Sequence, residues 1–225
     1  MAEEAGAGFA LHHLVRPPAA TRAGAPPLLL LLHGVGSNEQ DLMGLAPYLD
    51  DRFLVASARA PLTLGPGAYA WFEVSFTPEG PVHDQPQAED SRRTLLEFIP
   101  QLVDAYSADP SRVFVMGFSQ GAIMTVSLVL TAPRALTAAV AMSGRVLPEM
   151  VARRAPDEDL KGLPVLVTHG LADGVLPIRH GRGIRDVLER LPLQLTYREY
   201  PAGHEVSAEM LGDIASWLTA RLGRA

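Results

Sequence analysis

The stretch VFVMGFSQGAIM combines an apolar run with the pattern G-x-S-x-G, formed by Gly117, Ser119 and Gly121. A strand followed by a sharp turn and a helix holds a serine hydroxyl exposed at the end of a sheet. Such a turn requires glycines around the serine, because it leaves no room for Cβ atoms. The pattern therefore predicts that Ser119 is a nucleophile. The alternative is a glycine-rich turn that carries an incidental serine.

A serine hydroxyl becomes an effective nucleophile only when a base accepts its proton, and an acid must orient that base. Proteins with this turn carry the acid and then the histidine after the serine. Of the three histidines after Ser119, His169 ends a predicted strand and His180 lies in a helical pattern. His204 lies in the loop PAGHEVS beyond a strand, so His204 is the predicted base. The alternative is an ordinary surface histidine.

The acid is predicted from the segment THGLADGVLP, in which Asp173 directly follows an apolar strand. Its loop is expected at the same edge of the sheet as the loop that carries His204. Asp157 and Asp159 also precede His204, but they belong to the charged stretch RRAPDEDLKG, which is typical of a solvated surface. Asp173 is therefore the predicted acid, with a turn formed by Asp173 and Gly174 as the alternative.

Backbone N–H groups are expected to stabilise the oxyanion that forms when the serine attacks a carbonyl group. The residue after the nucleophile, Gln120, provides the first N–H, and a loop after an early strand provides the second. The segment LLLLLHGVG contains both that strand, residues 28–32, and that loop, residues 33–36. Small residues in the loop let its backbone approach the substrate. His33 is predicted to brace the loop rather than to act as a general base.

Short apolar runs alternate with amphipathic helical patterns along most of the chain. Several runs are apolar at nearly every position, which is typical of parallel strands covered on both faces. The alternation predicts an α/β fold with a mostly parallel, twisted central sheet, helices on both faces and a site at the carboxyl ends of the strands. Helices are predicted at residues 90–106, 120–131 and 178–191, and after the N-cap Ser207. Strands are predicted at residues 9–15, 28–33, 53–58, 113–117, 138–142, 164–169 and 195–200.

Residues 59–88 interrupt this alternation, because they are rich in glycine and proline and carry several aromatic residues. A loop of this length in a compact domain is usually functional or disordered. Its aromatic residues favour an ordered flap over the active site, with a short hairpin. Trp71 and Phe72 are expected to line a substrate pocket, with simple burial in the core as the alternative. Pro100 is expected to kink or split the helix at 90–106.

The 225 residues are expected to form one domain without a large cap. A net charge of -6 without a dense basic run argues against a nucleic-acid or anionic-membrane partner. The absence of cysteine excludes disulfides and a cysteine nucleophile and fits a reducing compartment. The first residues, MAEEAGAGFA, lack the basic start of an export signal, and no apolar run approaches the roughly 18 residues of a membrane helix. These features predict a cytoplasmic protein without stable membrane insertion.

Five segments, LLHGVGSNEQDL, GFSQGA, AMSG, HGLADGVLP and AGH, occur in this order and together resemble the phospholipase/carboxylesterase family of α/β hydrolases. The acyl-protein thioesterases are relatives of that family. The resemblance runs through nearly the whole chain and is greatest to the bacterial carboxylesterase branch. It implies an α/β-hydrolase fold with Ser119 as nucleophile, Asp173 as acid and His204 as base. It also implies that the oxyanion N–H groups belong to Val35 and Gln120.

The segment AYAWFE resembles the family's aromatic segment near the acyl pocket, which implies that Trp71 and Phe72 bind the substrate. Leu176 is a further expected substrate contact. The predicted function is hydrolysis of small-molecule carboxylic esters with short to medium acyl chains, through an acyl-enzyme and without a metal or organic cofactor. The alternatives are an acyl thioesterase or acyltransferase with the same triad, and a non-catalytic binding protein of the same fold. The sequence leaves a homodimer open.

Overall fold

A computed structural model describes residues 3–4, 8–19, 24–77 and 80–223 of the chain. Its strands are β1 (Glu3–Glu4), β2 (His13–Arg16), β3 (Leu28–Leu32), β4 (Leu54–Ala58), β5 (Leu62–Gly65), β6 (Ala68–Ala70), β7 (Val74–Thr77), β8 (Gly80–His83), β9 (Val113–Phe118), β10 (Ala138–Met142), β11 (Pro164–Gly170) and β12 (Gln194–Tyr200). Its helices are α1 (Glu39–Met43), α2 (Gln85–Ala105), α3 (Gln120–Thr131), α4 (Pro148–Ala152), α5 (Asp157–Leu160), α6 (Arg179–Leu188) and α7 (Ala208–Arg221). Short 3-10 helices lie at Ala46–Tyr48 and Pro133–Ala135.

The central sheet has eight strands in the order β1-β2-β4-β3-β9-β10-β11-β12. β2 pairs antiparallel with β1 and with β4, and the remaining neighbours pair parallel. The predicted mostly parallel sheet is therefore confirmed. Because parallel strands end at the same edge, the loops that follow β3, β9, β11 and β12 meet at one edge of the sheet.

The five leucines of β3 show why the sheet must be covered on both faces. Leu28, Leu30 and Leu32 belong to one hydrophobic cluster, together with apolar side chains of α2, α3 and α6. Leu29 and Leu31 belong to a second cluster, which contains side chains of α1 and α7. All five leucines are fully buried, because alternate residues of a strand point to opposite faces. None of the helices in the described ranges is both long and apolar enough to cross a membrane.

Several element boundaries differ from those predicted. The first strand of the prediction, 9–15, is observed as His13–Arg16, and it pairs antiparallel with β4. The helix predicted at 90–106 begins at Gln85, because the Asp84 side chain accepts a hydrogen bond from the Gln87 N–H and caps it. Pro100 does not split this helix. It lies on the exposed side of the helix, opposite the apolar side chains that α2 buries.

The segment predicted as a long flap, residues 59–88, contains more regular structure than expected. β5 pairs with β6 and β7 pairs with β8, so two hairpins are present rather than one. The end of the segment already belongs to α2. The position of this segment over the active site stays a prediction.

Candidate active site

Ser119 lies at the turn between β9 and α3, and the turn is as sharp as the sequence pattern predicts. Its φ of 54° and ψ of -116° are rare for a residue with a side chain, and such backbone strain is concentrated at functional sites. A Cβ atom on Gly121 would lie 2.0 Å from the Leu32 carbonyl oxygen, and one on Gly117 would lie 2.2 Å from the Gly121 oxygen. Both positions therefore require glycine if the turn is to pack this closely.

His204 contacts both Ser119 and Asp173 through its two ring nitrogens. Its Nε2 lies 2.9 Å from the Ser119 Oγ, and its Nδ1 lies 2.7 Å from the Asp173 Oδ2. Because a carboxylate only accepts, Nδ1 must carry the ring proton and donate it. The lone pair of Nε2 then faces the serine hydroxyl. The structure thus brings together the three residues that the sequence predicted from three separate loops.

The rejected acids lie elsewhere, on the exposed helix α5. Asp157 forms an ion pair with Arg154, and Asp159 forms one with Arg134. Within the described residues neither carboxylate forms a hydrogen bond or an ion pair with His204, and both lie in the charged surface stretch predicted for them.

The loop that carries Asp173 supports a charged carboxylate in a fully buried position. Burial alone would raise its pKa, but hydrogen bonds to the carboxylate outweigh that effect and lower the pKa of Asp173 below its usual value. One bond comes from His204, and Oδ1 accepts two more from the N–H groups of Val175, at 2.9 Å, and Leu176, at 2.7 Å. Asp173 is therefore held ionised and fixed in orientation.

His169 is a component of the site that the sequence analysis treated only as the end of a strand. Its Nε2 lies 2.7 Å from the Leu176 carbonyl oxygen and 3.4 Å from the Asp173 Oδ2. Since a carbonyl oxygen accepts, Nε2 carries the proton and donates it to Leu176. The ring is fully buried against Gly181, where a Cβ atom would lie 2.6 Å from it. His169 thereby holds the loop that carries Asp173 in place. The sequence offered one indication of this role, since His169 lies only four residues before Asp173.

The HGVG loop after β3 passes directly beside the serine. A Cβ atom on Gly34 would lie 3.2 Å from the Ser119 Cβ. Val35 is half exposed, and neither its N–H nor the Gln120 N–H donates a hydrogen bond within the described ranges. The loop therefore presents its backbone next to the nucleophile, which is the placement that an oxyanion-binding loop requires.

His33 stabilises the backbone of this loop from a fully buried position. Its Nε2 accepts a hydrogen bond from the Ala60 N–H at 3.0 Å, so its Nδ1 carries the proton and donates it to the Gly34 carbonyl oxygen at 2.7 Å. Burial lowers the pKa of His33, which favours this neutral form. The geometry agrees with the expected bracing role, and the His33 ring forms no hydrogen bond with Ser119 in the described part of the chain.

The side chain of Gln120 connects the serine turn to the segment before β7, a role that the sequence analysis missed. Its Oε1 accepts from the Trp71 N–H and its Nε2 donates to the Phe72 carbonyl oxygen, both at 2.7 Å. The Trp71 indole N–H donates to the His33 carbonyl oxygen at 3.0 Å. The residues joined by these contacts lie 38 to 49 positions apart in sequence, so only the tertiary fold brings them together.

Trp71 and Phe72 are fully buried in the larger hydrophobic cluster. Neither side chain presents surface to a ligand in this structure, and Trp71 has a clear packing and hydrogen-bonding role. Leu176 is half buried, and its N–H and carbonyl group bond to Asp173 and His169. Direct contact of these three side chains with a substrate stays a prediction. Among the described residues, no three His, Asp or Glu side chains are grouped so as to hold a metal ion.

Comparison with known proteins identifies the family. Residues 19–222 match the phospholipase/carboxylesterase family over most of the chain. The chain belongs to this family. A probable carboxylesterase of rice, Oryza sativa subsp. japonica, is 32% identical over 219 residues, which cover 90% of this chain and 91% of the rice protein. Acyl-protein thioesterase 1 of Kluyveromyces lactis is 27% identical, covering 87% of this chain and 92% of the yeast protein.

A solved structure agrees with this membership. The crystal structure of the Bacillus cereus carboxylesterase superimposes with a TM-score of 0.80 and 25% identity, covering 94% of both chains. The fold is therefore that of the α/β hydrolases, as the resemblance implied. The family membership and the carboxylesterase relatives together make this protein a carboxylic ester hydrolase.

Proposed function

We propose that the protein hydrolyses carboxylic esters through Ser119, His204 and Asp173, with an acyl-enzyme intermediate. The observation that carries the proposal is the position of His204, which hydrogen-bonds to the Ser119 hydroxyl with one ring nitrogen and to the Asp173 carboxylate with the other. An ordinary surface histidine is not expected to hydrogen-bond at the same time to a serine with a strained backbone and to a buried carboxylate.

In the first half of the reaction, His204 accepts the Ser119 proton at Nε2 as the Oγ attacks the acyl carbonyl carbon. The tetrahedral intermediate carries its negative charge on the former carbonyl oxygen, and the N–H groups of Val35 and Gln120 are proposed to bind it. Loss of one such donor typically costs about 10²–10³ in kcat. The imidazolium that forms is stabilised by Asp173, which Val175 and Leu176 hold in place.

The intermediate collapses when His204 gives its proton to the leaving oxygen, so the alcohol departs and the acyl group stays on the Ser119 Oγ. A water molecule then takes the place of the alcohol. His204 accepts a proton from that water as its oxygen attacks the acyl carbon, and a second tetrahedral intermediate forms. When this intermediate collapses, the bond to the Ser119 Oγ breaks, His204 returns the proton to that oxygen and the acid leaves. The proton transfers rely on His204, which lies within hydrogen-bond distance of both the Ser119 hydroxyl and the Asp173 carboxylate.

Kinetics with p-nitrophenyl butyrate test this assignment. Ser119→Ala, His204→Ala and Asp173→Asn should each lower kcat by about 10³-fold or more, because the three groups act as one unit. Ser216→Ala is the matched control, since that serine lies on the exposed surface of α7 and its hydroxyl donates to the Gly212 carbonyl oxygen. An unchanged kcat in the Ser119→Ala variant would refute the assignment.

An acyl thioesterase with the same triad is the second candidate, and the similarity to acyl-protein thioesterase 1 favours it. Thioesters pass through the same tetrahedral intermediate, so the triad geometry alone does not separate the two. The kcat/KM for a butyrate ester, compared with that for the butyryl thioester of the same alcohol skeleton, distinguishes them. We expect the ester to be preferred. Adding an alcohol acceptor and measuring the new ester identifies transferase activity.

The preference for short to medium acyl chains is proposed from the small size of the segment between β4 and α2, which holds only two short hairpins in the described residues. A series of p-nitrophenyl esters from acetate to palmitate tests it. We expect kcat/KM to reach its maximum at butyrate to octanoate, and a steady rise to palmitate would contradict the proposal.

The cytoplasmic location and the homodimer stay predictions.

A further inference from the structure

A cleft of about 270 Å³ lies against His204, on the face of the sheet that α1 and α7 cover. Its apolar lining consists of Leu42, Leu45, Phe118 and Val206. The Phe118 ring is 4.9 Å from the His204 ring, centroid to centroid, so the cleft begins at the imidazole itself. A space of this size is slightly smaller than the usual pocket for a drug-sized ligand, so it suits a small alcohol.

The chemistry of ester cleavage determines which part of a substrate can lie there. His204 must protonate the leaving oxygen, so that oxygen has to come within hydrogen-bond distance of its Nε2. The carbon atoms attached to the leaving oxygen then extend past the imidazole. On the other face of the sheet, the Gln120 side chain binds the backbone of Trp71 and Phe72, which fill that side of the serine turn. The cleft beside His204 lies on the opposite face, where its lining begins at the imidazole and the Phe118 ring.

Two carboxylates, Asp41 and Glu205, complete the lining of the cleft. Both residues are exposed, and neither forms an ion pair within the described ranges. The Asp41 Oδ2 accepts a hydrogen bond from the Ser37 hydroxyl at 2.8 Å, which fixes its position without neutralising it. The lining therefore combines apolar walls with two negative charges, and besides His204 it contains no lysine or arginine. That combination complements an alcohol that is both apolar and cationic.

We propose that this cleft is the leaving-group site of the enzyme and that it favours esters of cationic amino alcohols over neutral and anionic alcohols of the same size. The inference rests on the proposed function, since it assumes that His204 protonates the leaving oxygen. The cleft lining specifies which class of alcohol the enzyme favours as leaving group, and neither the triad nor the family membership specifies that class.

Three butyrate esters that differ only in the alcohol test the proposal: 2-(trimethylammonio)ethyl butyrate, its neutral carbon isostere 3,3-dimethylbutyl butyrate, and the anionic 2-sulfoethyl butyrate. Each kcat/KM is divided by the rate constant of hydroxide-catalysed hydrolysis, which corrects for the different intrinsic reactivities. At low ionic strength we expect the cationic ester to exceed the isostere by about 3–10-fold and the anionic ester to fall below it. The preference should shrink to roughly twofold or less in 0.5 M NaCl.

The double variant Asp41→Asn with Glu205→Gln should bring the three corrected values to within about twofold of one another. The matched control is Asp104→Asn with Glu158→Gln, which changes the net charge equally. Both control residues are exposed, one near the end of α2 and one on α5, and neither lines the cleft. The control should keep the full preference. A preference that survives in the first double variant, or that disappears in the control, overturns the assignment.

Substitution in the wall of the cleft provides an independent measurement. Leu45→Trp should lower the ratio of kcat/KM for 3,3-dimethylbutyl butyrate to that for methyl butyrate by about 10-fold, because it fills the space that the larger alcohol needs. Leu45→Ala should leave that ratio equal or raise it. An unchanged ratio in Leu45→Trp contradicts a leaving-group site at this position.

Failure of the proposed function and failure of this inference give different results. If wild-type protein reacts with a fluorophosphonate at Ser119 but shows no charge preference, only the leaving-group assignment is wrong. If wild-type protein neither reacts with the probe nor hydrolyses any of the esters, the proposed function is wrong and the inference fails with it.

Discussion

The indole N–H of Trp71 donates a hydrogen bond to the main-chain carbonyl oxygen of His33, at 3.0 Å. This bond joins the segment before β7 to the first residue of the HGVG loop, two residues before the N–H proposed to bind the oxyanion. The Trp71 backbone is in turn fixed by the Gln120 side chain. Trp71 thus acts on the proposed oxyanion site from the core, although its ring is fully buried.

Trp71→Phe tests this connection. The variant leaves the buried His33 carbonyl group without its partner, which should destabilise the protein by about 1–3 kcal/mol and loosen the HGVG loop. We expect kcat for p-nitrophenyl butyrate to fall by roughly 10-fold with little change in KM, because only transition-state binding is weakened. Trp217→Phe is the matched control: its indole N–H bonds to Thr196, away from the serine. Equal losses of kcat in both variants would contradict the connection.

His169→Gln tests the support of the Asp173 loop. Glutamine keeps a donor but cannot reproduce the ring that packs against Gly181 and reaches Leu176. A small displacement of the acid should lower kcat by on the order of 10–100-fold and leave KM within about threefold. His180→Gln is the control, because that histidine lies on α6 and, in the described part of the chain, its side chain forms no hydrogen bond with the triad or with Leu176. A kcat that stays within twofold of wild type in His169→Gln would show that the loop does not depend on His169.

The stability of the protein should fall as the pH decreases from 7.5 to 5.5. Burial lowers the pKa of His13 and of His33 below the value of about 6.5 that histidine has in an unfolded chain. In that range the unfolded state binds protons that the folded state does not, so the stabilising contribution is complete above pH 6.5 and is lost below it. Each histidine can contribute up to about 1.4 kcal/mol per pH unit.

His13→Phe isolates one of these contributions. The ring of His13 packs edge-on against Phe9 and Phe98 and hydrogen-bonds to Tyr106. Phenylalanine preserves the ring contacts but cannot titrate, so the free energy of unfolding should decrease less steeply with acidification than in wild type. Urea denaturation at pH 7.5, 6.5 and 5.5 measures the difference. Parallel curves for the two proteins would rule out His13 as a source of the pH dependence.

Much of the site was predictable because its signals are local. The glycines at 117 and 121 are required by the turn itself, and the order of serine, acid and histidine selected Asp173 and His204 from a small set. The leucine run of β3 was identified as interior because parallel strands are apolar on both faces. In each of these examples, the neighbouring residues and their order in the chain are enough to predict the feature.

The role of the Gln120 side chain was missed because it depends on contacts between distant parts of the chain. The Gln120 side chain meets Trp71 and Phe72 only after the hairpin segment folds back onto the serine turn. The earlier start of α2 had a local signal, Asp84 followed by Pro86, but the proline-rich segment around it favoured a loop. Pro100 was expected to kink or split the helix, but α2 continues through it. The burial of the apolar face of α2 outweighs the cost of the one hydrogen bond that the proline removes.

The central claim, that Ser119 is the nucleophile activated by His204, is tested most directly by mapping a covalent adduct. The protein is incubated with a fluorophosphonate, digested and analysed by peptide mass spectrometry, with Ser216→Ala and His204→Ala treated in parallel. We expect one adduct, on the peptide that contains Ser119, formed at the wild-type rate in Ser216→Ala and at least about 10²-fold more slowly in His204→Ala. An adduct on another residue, or no dependence on His204, would contradict the account.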